Sequence, residues 1–126
     1  MNTKVSHGIH KKDLLLKYQE QKQKQQQLED KATEEAKRLA KILVEEFDIA
    51  KVYLFGPLTY GKFVAGMPIE LALEGIPPGV YGSALGHLKQ ISTFGIELID
   101  IQQADSWTKQ SILKKGKILA KKEHLK

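Results

Sequence analysis

The chain has 126 residues, a formal net charge of +5 and no cysteine. That length suits one small domain able to fold on its own core, and the missing thiols exclude thiol catalysis, thiolate zinc sites and disulfide staples. The basic excess is lysine, with Arg38 the single arginine, so it reads as solvated surface and does not favour a nucleic-acid partner, whose readers commonly use arginine forks. No apolar run has the length of a signal or a membrane span, so a soluble, cytoplasmic protein with no membrane partner is expected.

Met1 to His10 lacks periodicity and is expected to be a flexible tail. From Lys11 to Phe47 there is neither Gly nor Pro, and helix formers dominate. Within this span Leu28, Ala32, Ala36, Leu39, Ala40, Leu43 and Phe47 recur at spacings of three and four, one apolar face against a core. Gln19 to Gln27 has no apolar residue, whereas Leu14, Leu15, Leu16 and Tyr18 form an isolated cluster before it. Residues 11–35 therefore read as a Gln/Lys-rich helical extension. It is a solvated arm, or one whose Leu14, Leu15 and Tyr18 dock on a partner or on a second copy as a homodimer.

After Asp48 the pattern changes. Lys51 to Phe55 is β-branched and aromatic and ends at Gly56-Pro57, a strand and a turn. Ile69 to Leu73 is a second strand, closed by Gly75 and Pro77-Pro78. Pro78 to Ile91 reads as a helix with proline in its first turn. Ile96 to Ile101 is a third strand. Ser106 is the expected N-cap of a helix from Trp107 to Lys115 stopped by Gly116, and Ile118 to Ala120 adds a short edge strand. The fold class is α+β: a small mixed sheet with helices on one face, preceded by a long N-terminal helix. Residues 36–121 form the domain and 122–126 a basic tail.

The run VYLFGPLTYGKFVAGMPIELALEG, from Val52 to Gly75, joined to IPP and then IELIDI, resembles the minimal nucleotidyltransferase domains of the polymerase-beta superfamily. The resemblance implies a nucleotidyltransferase-like fold and a nucleotide-binding turn at Gly56, Pro57 and Gly61, with Lys62 the nearest cation. The family carries a Gly-Ser turn and two Asp one residue apart, which together hold paired metal ions for in-line phosphoryl transfer. Alternate strand residues face one side, which is why that spacing works. Here Pro57 stands at the Ser, Pro68 at the first Asp, Glu70 at the second, and Glu97 at the third carboxylate; Asp100 is an odd number of residues away and should face the other side.

Proline offers neither a hydroxyl nor an N–H to phosphate, and Pro68 has no oxygen for a metal. The resemblance therefore implies a degenerate, non-catalytic member acting as a binding module, antitoxin-like, with a HEPN-type protein or itself as partner and no cofactor. The alternative is a working nucleotidyltransferase that uses Glu70 and Glu97 as catalytic and metal-binding residues, with Mg²⁺ and a nucleoside triphosphate, to modify protein, RNA or a small acceptor. His7, His10, His87 and His124 have no ligand-like grouping. Ser83, Ser92 and Ser111 lack a nucleophile-elbow setting, and Trp107 reads as core or interface.

Overall fold

The computed structural model describes residues 11–123; the expected N-terminal tail, His7, His10, His124 and Lys126 lie outside them. Helix α1 spans Lys11–Phe47 without a break, 37 residues, or about 55 Å at 1.5 Å per residue. It is followed by β1 (Lys51–Phe55), a 3₁₀ turn (Pro57–Tyr60), β2 (Ile69–Glu74), α2 (Tyr81–Ile91), β3 (Ile96–Asp100), a second 3₁₀ turn (Ile101–Gln103), α3 (Ser106–Lys115) and β4 (Lys117–Lys121). The sheet order is β3-β2-β1-β4. β1 is antiparallel to β2 and β4, while β2 and β3 are parallel, which makes the sheet mixed.

Period-two alternation divides the sheet into two faces. Val52 and Leu54 of β1, Ile69, Leu71 and Leu73 of β2, and Ile96 and Leu98 of β3 are buried on one face. Ala32, Ala36, Leu39, Ala40 and Leu43 of α1 and Ala84 and Leu88 of α2 cover them. The small alanines let the α1 backbone lie close to the strands. A smaller cluster of Tyr53, Ala72, Ile101 and Ile112 occupies the opposite face. The helices of one face are thus α1 and α2, while α3 puts Ile112 on the other side.

α1 ends where Asp48 takes a left-handed conformation, φ 59°. Ile49 N–H then bonds back to the Leu43 carbonyl at 3.2 Å, capping the helix C-terminus across the left-handed residue. Arg38 donates to both oxygens of Glu35 and, at 3.0 Å, to the Ile91 carbonyl, fastening the end of α2 to α1. That guanidinium holds the Glu35 carboxyl below its ordinary pKa.

Three expected boundaries shift. α2 begins at Tyr81, not Pro78, because Gly79 sits at φ 77° and the chain first turns through Val80 N–H to the Pro77 carbonyl. Asp105, not Ser106, caps α3, its carboxylate accepting from Thr108 N–H at 2.7 Å. β3 closes at Asp100, whose side chain accepts from Gln102 N–H and starts a 3₁₀ turn at Ile101.

Candidate functional site

β1 delivers the chain to Gly56 with φ 82° and ψ −163°, a region essentially closed to residues with a Cβ. The 3₁₀ turn from Pro57 to Tyr60 follows and ends at Gly61, φ 71°. Three donors of this turn are used within it. Thr59 N–H bonds to the Gly56 carbonyl, and the N–H groups of Gly61 and Lys62 both bond to the Pro57 carbonyl. Pro57 has none to give.

Glu70 lies opposite Phe55 in the β1–β2 register and beside Glu97 in the β2–β3 register. Both carboxylates therefore face the sheet side away from the main core. The Glu70 carboxyl rests on the Gly56 backbone: a Cβ built there would lie 2.6 Å from its Cδ and 2.7 and 2.9 Å from its oxygens. Burial pushes the Glu70 carboxyl up from its ordinary pKa, and the charge of Glu97 adds to that. No base answers it. The three ion pairs among the described residues are Lys37–Glu34, Arg38–Glu35 and Lys122–Asp48, so the exposed Lys62 is not within ion-pair distance of Glu70.

The spacing of Pro68 and Glu70 puts them on one face, with Pro68 just before β2 and against Gly95, where an added Cβ would meet it at 3.6 Å. Asp100 has the opposite parity to Glu97 and is engaged with Gln102 N–H. Among the described residues no group of three or more His, Asp or Glu is arranged to hold a metal ion. Two neighbouring carboxylates can share a proton or hold one cation. A paired-ion clamp needs a third bridging oxygen, and at that position stands Pro68. Of the sequence-expected residues, Gly56, Pro57, Gly61, Glu70 and Glu97 converge at one end of the sheet. Leu14, Leu15 and Tyr18 lie apart from them, at the far end of α1 and more than half exposed. Trp107 is 76% exposed and belongs to neither core.

Sequence reasoning missed Tyr60 and Val64, both about half exposed beside the turn. It also missed Tyr81, whose O–H donates to the Leu98 carbonyl at 2.6 Å beside a surface hollow shared with Asp100 and Ala104. Nothing in their local pattern separates them from ordinary loop and helix residues.

No family model matches the chain, and no curated protein matches it. Solved structures do. A chain from a crystal structure of a toxin–antitoxin with AMP-PNP superimposes with a TM-score of 0.59 at 17% identity, over 69% of this chain and 74% of that one. A chain from the toxin–antitoxin MntA-HepT matches with a TM-score of 0.54 at 17% identity, over 71% and 73%. A mutant of the same complex with two Asp-to-Glu changes matches with a TM-score of 0.54 at 20% identity, over 64% and 69%. At these identities the likeness is one of fold.

Proposed function

We propose that this chain is a degenerate nucleotidyltransferase-fold protein that works by binding a protein partner, as an antitoxin-like component, and not by efficient nucleotidyl transfer. One observation carries the reading. Where the resemblance would put metal-bridging carboxylates and phosphate donors, this chain has Pro68, a Glu70 carboxyl lying on Gly56, and a turn in which the N–H groups of Thr59, Gly61 and Lys62 bond to its own carbonyls. These donors do not fit paired divalent ions. Two glutamates in place of a three-carboxylate set lose several kcal/mol of charge stabilisation, about a thousandfold or more in rate.

The partner class rests on the three similar chains, all from toxin–antitoxin complexes. We take that partner to be a helical HEPN-type protein, a choice that the toxin–antitoxin neighbours support. Light scattering on a sizing column, with this chain alone and mixed with the product of the adjoining gene, tests it. A stable hetero-complex is expected. A chain that binds no such protein refutes the proposal.

A second reading has one specific support: Glu70 and Glu97 are still in register on adjacent strands, at the glycine turn. Labelled ATP with Mg²⁺ or Mn²⁺ and the partner decides between them. Label transfer that disappears in Glu70→Ala would establish an enzyme.

A further inference from the structure

The first 14 described residues of α1, Lys11 to Lys24, are exposed throughout, although the helix continues unbroken into the core. Five turns of 3.6 residues separate Leu14 from Ala32 and Tyr18 from Ala36, and those alanines are fully buried against the sheet. Leu14 and Tyr18 therefore stand on the same side of the helix as its core face, but beyond the end of the body. They are 61% and 58% exposed.

What ends the body there is the loop after the candidate turn. Gln25 donates through Nε2 to the Phe63 carbonyl, and an added Cβ on Gly61 would meet the Glu29 carboxylate at 3.9 Å. On that loop Tyr60 and Val64 are 49% and 48% exposed. Arm and loop thus meet as the wall and the floor of an open recess. From Leu14 to Gln25 the arm wall rises about 16 Å at 1.5 Å per residue, enough for one helix of about 10–12 Å diameter lying across it.

The charge around this recess is mainly positive, with Glu29 at its inner end. Lys11, Lys12, Lys17, Lys22 and Lys24 share the arm with only Asp13 and Glu20. Lys22 lies over the Tyr18 ring, its Nζ 5.7 Å from the centroid, and Lys62 is exposed on the loop. A second copy of the arm would bring lysine against lysine. The apolar cluster covers little more than one turn, against the long apolar face of a helix that lies in a bilayer surface.

We propose that this recess is the docking site for an amphipathic helix of a partner protein, one carrying carboxylates beside its apolar stripe. Leu14 and Tyr18 are the apolar anchors, Tyr60 and Val64 the floor, and the arm lysines the rim that selects acidic partners. The inference rests on the protein-binding function proposed above and locates it.

Fluorescence anisotropy of the full chain with two labelled helical peptides of about 20 residues tests it. Both peptides carry the same leucine stripe, one flanked by glutamate and the other by lysine. Only the glutamate peptide should bind, more weakly as salt rises. L14D/Y18D, at exposed positions, should keep the wild-type circular dichroism and lose at least tenfold in affinity, and K11E/K22E should remove the preference for glutamate. Equal binding of the two peptides, undiminished binding by L14D/Y18D, capture by phosphatidylglycerol vesicles in place of the peptide, or sedimentation of the chain as a dimer broken by L14D/Y18D would each overturn the proposal. If the adjoining gene's product binds L14D/Y18D as tightly as wild type, the docking site falls and the proposed function stands. If that product does not bind wild type, both fall.

Discussion

Replacing Gly56 by alanine tests the strained corner on which the candidate site is built. The native φ of 82° and ψ of −163° would strain an alanine backbone by about 1–3 kcal/mol. The new methyl would also lie 2.6 Å from the Glu70 Cδ. Because that carboxyl ends a flexible side chain, it can swing aside for about 0.5–1.5 kcal/mol of rotamer strain. Backbone strain should therefore dominate, with a total loss of about 2–3 kcal/mol and a fall in Tm of roughly 10 °C. Urea unfolding of wild type, G56A, E70A and G56A/E70A separates the two contributions. The double-mutant cycle should return a coupling of about 1 kcal/mol or less. A G56A protein within about 0.5 kcal/mol of wild type would refute the strained-turn reasoning, and full rescue by E70A would show that the clash, not the backbone, was decisive.

Glu70→Gln should stabilise the protein at neutral pH by about 0.2–1 kcal/mol, the scale of a like-charge cross-strand pair. Since burial and Glu97 raise the folded-state pKa of Glu70, wild-type stability should fall as pH rises from the unfolded value of 4.5 through the folded one. The variant's advantage should therefore grow across that window and vanish below it in pH-dependent urea melts. Pro68→Asp adds a third carboxylate on the face of Glu70 and Glu97. Millimolar Mg²⁺ should then raise the variant's stability by about 1–3 kcal/mol, at ten to a hundred times Kd, without moving the wild type; an equal response from wild type would contradict the degenerate-site reading. Leu43→Ala, at a fully buried position, should cost about 2–5 kcal/mol by thermal or urea melts. Leu16→Ala, on the exposed arm, should change stability by less than about 0.5 kcal/mol.

The fold was legible in the sequence wherever one period ran cleanly. β1 occupies Lys51–Phe55 as the pattern predicts, and the stripe from Ala32 to Leu43 is the buried face of α1. Boundaries failed where two signals of the same type stood together. Asp105 and Ser106 are both good N-caps, and only the bond to Thr108 chooses between them. Pro77-Pro78 announces a helix start, but the positive φ of Gly79 delays it. Gly116 stops α3 as expected, yet at an ordinary φ of −70°; its need for glycine comes from the Ile112 carbonyl, 2.6 Å from where a Cβ would sit. The Leu54 carbonyl of β1, 3.3 Å from the same point, is a tertiary contact that no local pattern carries. The same holds at the site. The resemblance implied that Glu70 and Glu97 share a site, and the β2–β3 register puts them side by side, but the Glu70 carboxyl lying on Gly56, and the bonds that use the N–H groups of Gly61 and Lys62, depend on how the turn folds back.

Alternation also explains how such a site can change without loss of the fold. Pro68 and Glu70 flank Ile69, and Glu97 lies between Ile96 and Leu98. Ile69, Ile96 and Leu98 belong to the core under α1 and α2. Every candidate site residue on the strands thus occupies the parity that the core does not use, on a face whose own apolar cover is the small cluster around Ile112. A substitution at 68, 70 or 97 changes the groups on that face while leaving in place the seven buried strand residues of the main core. The arm lies at a still greater remove, since Leu14 and Tyr18 touch neither face of the sheet. The core, the candidate site and the proposed docking recess are therefore separable by mutation. E70Q should shift pH-dependent stability without affecting partner binding, and L14D/Y18D should do the reverse. A protein in which one substitution moved both would mean that the recess and the turn are coupled through Tyr60.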